Sequence, residues 1–318
     1  MPSSDYRFTT RYPRVEDFDP EGDSTYIYGY SPEDRSHLID PLLAKSKPNI
    51  RFVEIAANGA DELCDVASKS NYLLRSERSI ETFLLKYQSR LLYLDVSGLE
   101  NRISAPLLKA AIAAYRKGTF SEIRVIYAEP RTYKVQQFKT EGYFNDLSEK
   151  IDGISPLPGF ASIIPSTVED SLFIPLLGFE GGRFTHLVES FQPPYDNIYP
   201  VIGVPGFRFE YPFVAYWGNR QPLQITEAWR QIKYAAANSS VEIFDLLSRI
   251  HKRSPKSTLK IAPIGTKPHA IGAMLYVIEN PMTAELIYDN PKRKKQRTDG
   301  VGRILECSVS SLLDDRSA

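Results

Sequence analysis

The chain has 318 residues, 42% of them hydrophobic, which suits one large α/β domain or two lobes of ordinary size and excludes a small peptide module. Its 39 basic residues balance 39 acidic ones, so no global positive field draws in a nucleic-acid backbone and only local patches remain. The opening residues lack an apolar signal segment and no apolar run reaches membrane-spanning length, so a soluble, cytoplasmic protein with no membrane partner is expected.

After a polar arm over residues 1–24, Thr25–Tyr30 reads as a strand, followed by the turn Ser31-Pro32-Glu33-Asp34 and a helix over Ser36–Ala44. Arg51–Ala57 is the next strand, and Asp61–Tyr87 reads as helix-rich. Arg90–Val96 is a compact strand, Ser97–Arg102 a turn, Ala105–Arg116 an apolar helix and Ile123–Ala128 another strand. The composition then turns polar, aromatic and Gly/Pro-rich, which reads as a connecting or lid segment over 131–170 with a short helix around Phe144–Glu149.

A second set opens with the strand Leu172–Leu177, the loop Gly178–Arg183 and a helix through Phe191. Tyr199–Val204 is a strand, Pro212–Asn219 a short helix or aromatic loop, and Ile225–Tyr234 and Val241–Lys252 read as helices. Leu259–Tyr288 gives strand, glycine turn, helix and strand, and Ile304–Ser308 adds an edge strand. The fold class is therefore α/β, Rossmann-like and mainly parallel, as two αβ lobes (25–130 and 171–310, with a polar tail over 311–318) or one extended sheet with an insertion.

Ligands of such sheets sit beyond the carboxyl ends of the strands, and a single parallel sheet would line up four loops on one rim. Those loops carry Ser31 and Arg35; Asp95, Ser97 and Arg102; Glu180 and Arg183; and Gly265, Thr266 and Lys267. Helix starts already favour anions, so cations recurring beside them point to an anionic ligand. Gly265 brings backbone N–H groups close, Thr266 offers a hydroxyl and Lys267 a mobile charge, a combination suited to phosphate. The same Gly-Thr-Lys loop can equally serve to cap the following helix, and each arginine can pair with a neighbouring glutamate. Asp95 fits a ribose hydroxyl or a local turn cap. His269 and Glu180 are the candidate catalytic groups, each with a structural alternative.

Cys64 and Cys307 and the four histidines lack zinc-site spacing. There is no Gly-x-Ser-x-Gly elbow, no Gly-x-Gly-x-x-Gly fingerprint and no complete Walker A motif, so serine hydrolysis, NAD binding and ordinary ATP hydrolysis are not indicated. No cofactor is expected, and Mg²⁺ has no supporting motif, although its ligands can come from distant loops and substrate phosphates. Tyr211–Arg220 could stack a base, anchor a protein partner or fill a joint in the core. The basic run Lys292–Arg297 fits a solvated loop, a phosphate clamp or a nucleic-acid contact.

At Gly265-Thr266-Lys267-Pro268, preceded by a strand and followed by an apolar helix, the chain resembles the CRISPR-associated Rossmann-like sensor domains and related nucleotide sensors of prokaryotic antiviral defence. The resemblance covers the final αβ unit and implies binding of a nucleotide-derived signal, usually across a homodimer, with an effector protein as the further partner class. It departs in having Pro263-Ile264 before the glycine. Two alternatives stand beside this reading: a nucleotide- or phosphoester-processing enzyme, and a structural interaction subunit of a defence complex. Direct nucleic-acid binding rests on the 292–297 run alone.

Overall fold

The computed structural model describes residues 4–45, 47–133, 148–151, 153–161, 167, 170–293 and 297–317. They fall into two compact units, the first built from Met1–Lys134 with Lys295–Ala318 and the second from Val135–Lys294. In the first, β1 (Thr9–Tyr12) precedes β2 (Ser24–Tyr28), whose five residues are all buried, as expected of an aromatic, β-branched run covered on both faces. A 3₁₀ turn over Asp34–Ile39 continues into α1 (Asp40–Ala44) and leads to β3 (Ile50–Asn58), parallel to β2.

The helix-rich reading of Asp61–Tyr87 is corrected in its first half. That half is a meander of β4 (Glu62–Asp65) and β5 (Ser70–Leu73), and only α2 (Glu77–Lys86) is helical. Asp65 closes the hairpin by accepting from the Ser68 amide and hydroxyl, at 3.3 and 2.7 Å, and Lys69 takes a left-handed φ of 56°. The Ser76 side chain then caps α2. β6 (Leu91–Asp95), α3 (Asn101–Arg116) and β7 (Glu122–Tyr133) follow. The parallel strands run β3-β2-β6-β7, so the strand order reverses between β2 and β6.

In the second unit come β8 (Ser148–Ile151), β9 (Ser155–Pro156) and β10 (Ser171–Pro175). Of the helix expected near Phe144–Glu149, residues 144–147 lie outside the described residues, as does most of the expected lid, and Ser148 onward is strand. Next are α4 (Gly181–Phe191), β11 (Val201–Gly203), α5 (Tyr211–Gly218), α6 (Arg220–Ile225) and β12 (Lys233–Ala235). The helix expected over Ile225–Tyr234 is corrected: the backbone turns left-handed at Glu227 (φ 54°), breaking the helical path, and a 3₁₀ turn over Ala228–Gln231 feeds β12. α7 (Ser240–Arg253), β13 (Thr258–Ala262), α8 (Lys267–Glu279), β14 (Ala284–Tyr288) and β15 (Pro291–Arg293) complete the unit.

β10, β13 and β14 pair in parallel, as do β11 and β12. Parallel bridges Phe173–Ile198 and Leu176–Val201, with the Leu177 amide on the Val201 carbonyl at 2.8 Å, join the two sets. The parallel order is therefore β12-β11-β10-β13-β14, the doubly wound order with its reversal between β10 and β13. β9 adds an antiparallel edge to β14, and β15 pairs with β8. Phe173, Phe184, Leu187, Ile198, Ile264 and Ile287 form the core around this sheet.

The chain then returns to the first unit. β16 (Thr298–Ser308) lies antiparallel between β7 and β1, and α9 (Val309–Ser317) follows. A second lobe continuous to residue 310 does not describe these pairings. β16 is longer than the expected strand, and it sits inside the eight-stranded sheet instead of at an edge. Side chains tie it there: the Glu33 carboxylate accepts from Arg297 and, at 3.3 Å, from the Thr298 hydroxyl, while Asp34 accepts the Gly300 amide at 2.8 Å. Among the described residues no helix is long and apolar enough to cross a membrane.

Candidate functional site

The four loops expected on one rim divide two and two between separate sheets. In the first unit, the reversal between β2 and β6 is closed by backbone. A Cβ on Gly98 would stand 1.8 Å from the Gly29 carbonyl oxygen and 2.9 Å from the Ser36 Cβ. Asp95 accepts from the Ser97 amide at 2.8 Å and the Tyr26 hydroxyl at 3.1 Å, and the Ser97 hydroxyl accepts from the Ala128 amide at 2.8 Å. Arg35, 2% exposed, donates to Glu33 at 2.6 Å and to the Tyr127 hydroxyl at 2.7 Å. Its guanidinium is desolvated, yet Tyr127 and Glu33 hold its pKa above the ordinary arginine value.

Arg102 donates to the Ala60 carbonyl and stands 3.7 Å from Asp61, and the Ser31 hydroxyl accepts from the Glu33 amide at 3.4 Å. The picture of Arg35, Asp95 and Ser97 as ligand-facing groups is thus corrected. They are buried, and their polar atoms bind the loops to the sheet.

The second unit is built differently. Its reversal is flanked by the Gly178–Arg183 loop after β10 and the Pro263–Lys267 loop after β13, which meet backbone to backbone. A Cβ on Gly265 would lie 2.6 Å from the Leu177 carbonyl oxygen and 2.8 Å from that of Leu176, and one on Gly178 would lie 3.1 Å from the Gly265 Cα. Gly181 is pressed against the Gly218 carbonyl, 2.0 Å from where its Cβ would be. Gly182 is the contrast: it is exposed, and a Cβ there meets nothing within 4 Å.

Two helices open at these loops, α4 with 11 residues and α8 with 13. The first amides of a helix precede its own hydrogen-bond ladder and carry partial positive charge. α8 spends part of this potential on itself: the Thr266 hydroxyl caps it, accepting from the His269 amide at 3.4 Å and donating to the Ala237 carbonyl at 2.7 Å, and Pro268 has no N–H. The Thr266 hydroxyl is thus a cap, the second of its two sequence readings. The N-cap Glu180 provides no side-chain cap to α4. Half-buried Lys267 occupies the first position of α8.

Arg183 is corrected from ligand clamp to loop clamp. At 2% exposure it binds Asp289, itself fully buried, through Nε at 2.7 Å, donates to the Ile264 carbonyl at 2.8 Å and stands 3.7 Å from Glu180. Burial works against its charge, but Asp289 raises its pKa above the ordinary arginine value. One side chain so holds α4, the end of β13 and the end of β14 together, and it balances the buried carboxylate of Glu180, whose place is structural. Asn219, fully buried, donates to the Gly178 and Ala215 carbonyls, both at 2.7 Å, fixing the glycine loop from the other side. Sequence reasoning missed Asp289 and Asn219, and it passed over the Gly181-Gly182 amides in favour of the charged neighbours. The glycine pair itself was the available signal.

His269 is wholly enclosed, and its Nε2 donates to the Ala236 carbonyl at 2.9 Å. Burial pushes its pKa down from 6.5 to about 4, against a smaller upward pull from the backbone bonds. A catalytic role for His269 is corrected accordingly: the ring is neutral at pH 7, encased, and committed to tying the Ala236 loop to α8. The unfolded chain takes up this proton below pH 6.5 and the folded chain only near 4. Stability is therefore complete above 6.5 and falls by about 3 kcal/mol as pH drops through that window. Urea melts of the second unit at pH 7 and pH 5 should show the loss, and His269→Gln, which keeps a donor for Ala236, should flatten it; an unchanged slope contradicts the assignment.

Among the described residues, no group of three or more His, Cys, Asp or Glu side chains could hold a metal ion. No family model matches the chain, and no curated protein matches it. Among solved structures, the chain is similar to a putative universal stress protein from Pseudomonas aeruginosa UCBPP-PA14, at 9% identity and TM-score 0.26 over 92% of this chain and 87% of that one. It is also similar to the S. aureus MnaA-UDP co-structure, at 10% identity and TM-score 0.21 over 88% and 93%. Superpositions of that quality carry no argument about ligand or activity. The Rossmann-like, largely parallel architecture rests on the strand orders above.

Proposed function

We propose that the second unit captures a phosphorylated ligand, of the nucleotide class, at the reversal between β10 and β13. The carrying observation is that α4, an 11-residue helix without a side-chain cap, opens directly after the first strand of the doubly wound order with the exposed Gly182 in its first turn. That position is where such folds bring backbone amides to a phosphate. Gly182 leaves space for close approach, its amide donates, and Lys267 at the start of α8 supplies a positive charge. Arg183, Asp289, Asn219 and Gly265 keep the two loops in register without touching the ligand.

A role as a sensor subunit in antiviral defence, implied by the Gly265–Lys267 resemblance, is the finer form of this proposal and requires occupancy to change a homodimer or effector contact. Gentle purification from the native host, followed by mass determination of any retained small molecule and co-purifying chains, tests both levels. The expected result is a phosphorylated compound that Lys267→Ala loses at least tenfold while its melting temperature is kept, the size of change that about 1.4 kcal/mol of lost charge pairing brings. Retention of the same compound by the variant would remove Lys267 from the site.

A further inference from the structure

α7 ends on a cluster of charge that the fold does not use. Arg249, Lys252 and Arg253 share one helical face at spacings of three and four residues, and Lys256 follows in the turn to β13. All four are exposed, and among the described residues none of their side chains meets a carboxylate or another hydrogen-bond partner. The acidic residues of the same face, Glu242 and Asp245, lie in the first half of the helix, where Glu242 accepts the Ala236 amide at 2.7 Å. His251 pairs with the Tyr276 hydroxyl at 2.6 Å, and burial lowers its pKa, so its ring is neutral at pH 7. Helix polarity accounts for cations in the last turn, but Arg249 precedes that turn and Lys256 lies beyond the helix.

The surface around these cations selects what they meet. No large hydrophobic residue is exposed between Tyr234 and Met282, so this stretch offers neither an aromatic anchor for a protein partner nor an apolar wedge for a bilayer. It also has no exposed ring on which a base could stack. What remains is positive charge alone, held on a helix whose other side is buried through Ile243, Phe244, Leu247 and Ile250. We propose that the carboxyl end of α7 docks the phosphate backbone of a nucleic-acid duplex without reading its sequence. Because the chain is neutral overall, the contact depends on these side chains and not on a general field. The patch is separate from the anion site proposed above: it precedes β13, whose five residues put about 17 Å of strand before the Gly265 loop.

The test is the fluorescence anisotropy of a labelled DNA or RNA duplex of about 20 base pairs, titrated with the full chain at salt from about 50 to 200 mM. Four phosphate contacts give log affinity a slope of about −3.6 against log salt, and Arg249→Gln/Arg253→Gln should bring it to about −1.8. Affinity at about 100 mM salt should fall at least tenfold in that variant while the melting temperature is kept. Lys69→Gln/Arg78→Gln, which removes two exposed and partner-free cations of the first unit, should change neither quantity. Wild type that binds neither duplex, or a slope that the α7 variant leaves unchanged, overturns the proposal. Equal losses in the two double variants also overturn it, because they would show general charge attraction. Preference for vesicles of phosphatidylserine and phosphatidylcholine over both duplexes, lost in the α7 variant, would overturn it in favour of a membrane surface.

Discussion

Asp289→Ala should destabilise the second unit by about 3–5 kcal/mol, because it leaves the Arg183 guanidinium buried without its carboxylate. Arg183 cannot escape to solvent: it lies within α4's first turn, and its remaining bonds lead to the Ile264 carbonyl and towards Glu180. The double variant Arg183→Met/Asp289→Leu should lose far less than the two single losses added, since removing both partners abolishes the desolvated charge. Both tryptophans, Trp217 and Trp229, belong to the second unit, so their emission during urea unfolding follows that unit. A single-variant loss below about 1 kcal/mol would mean that the pair is hydrated and does not clamp the loops.

Gly98→Ala should be similarly severe in the first unit. Its Cβ would stand 1.8 Å from the Gly29 oxygen and 2.8 Å from the Gly29 carbon, both backbone atoms, so the β2 and β6 loops must separate. Overpacking against backbone costs about 3 kcal/mol, and amide exchange across β2 and β6 should accelerate accordingly. Exchange at the wild-type rate would show that the crevice of the first unit is open. It would then compete with the second unit as the ligand site.

The parts of the fold that the sequence discloses are those whose cause is local. Leu91–Leu94 and Leu172–Leu177 are short continuous apolar runs, and Ile123–Ala128 and Leu259–Ala262 are apolar but for Arg124 and Lys260, the pattern of strands covered on both faces. The β4–β5 meander was hidden because each strand has only four residues and its turn depends on the Asp65 side chain. β12 was hidden by its length of three residues and by the left-handed Glu227 before it. The membership of β16 is a pairing with strands far back in the chain, and no local pattern chooses a sheet edge.

The site divides in the same way. Glycines between a strand and a helix mark Gly178–Gly182 and Gly265 as close-approach loops, and both do flank the reversal in the second unit. The charged residues beside them misled, because the fate of a charge depends on its partner. Arg183 finds Asp289 at a separation of 106 positions, and Arg35 finds Tyr127 at 92. Cations near helix starts can thus serve as buried braces, and the anion-binding capacity then rests with the backbone amides they hold in place.

Gly182→Asp tests most directly whether the first turn of α4, at the exposed Gly182, receives the phosphate. A side chain there has open space, and a carboxylate in the first helical turn is favourable, so the fold should be kept or slightly stabilised. The same carboxylate places a negative charge where the ligand's would sit. Calorimetric titration with pyrophosphate should show wild-type binding reduced by a factor of about 30 or more in the variant, about 2 kcal/mol, at an undiminished melting temperature. Equal affinity in the two proteins would contradict the account.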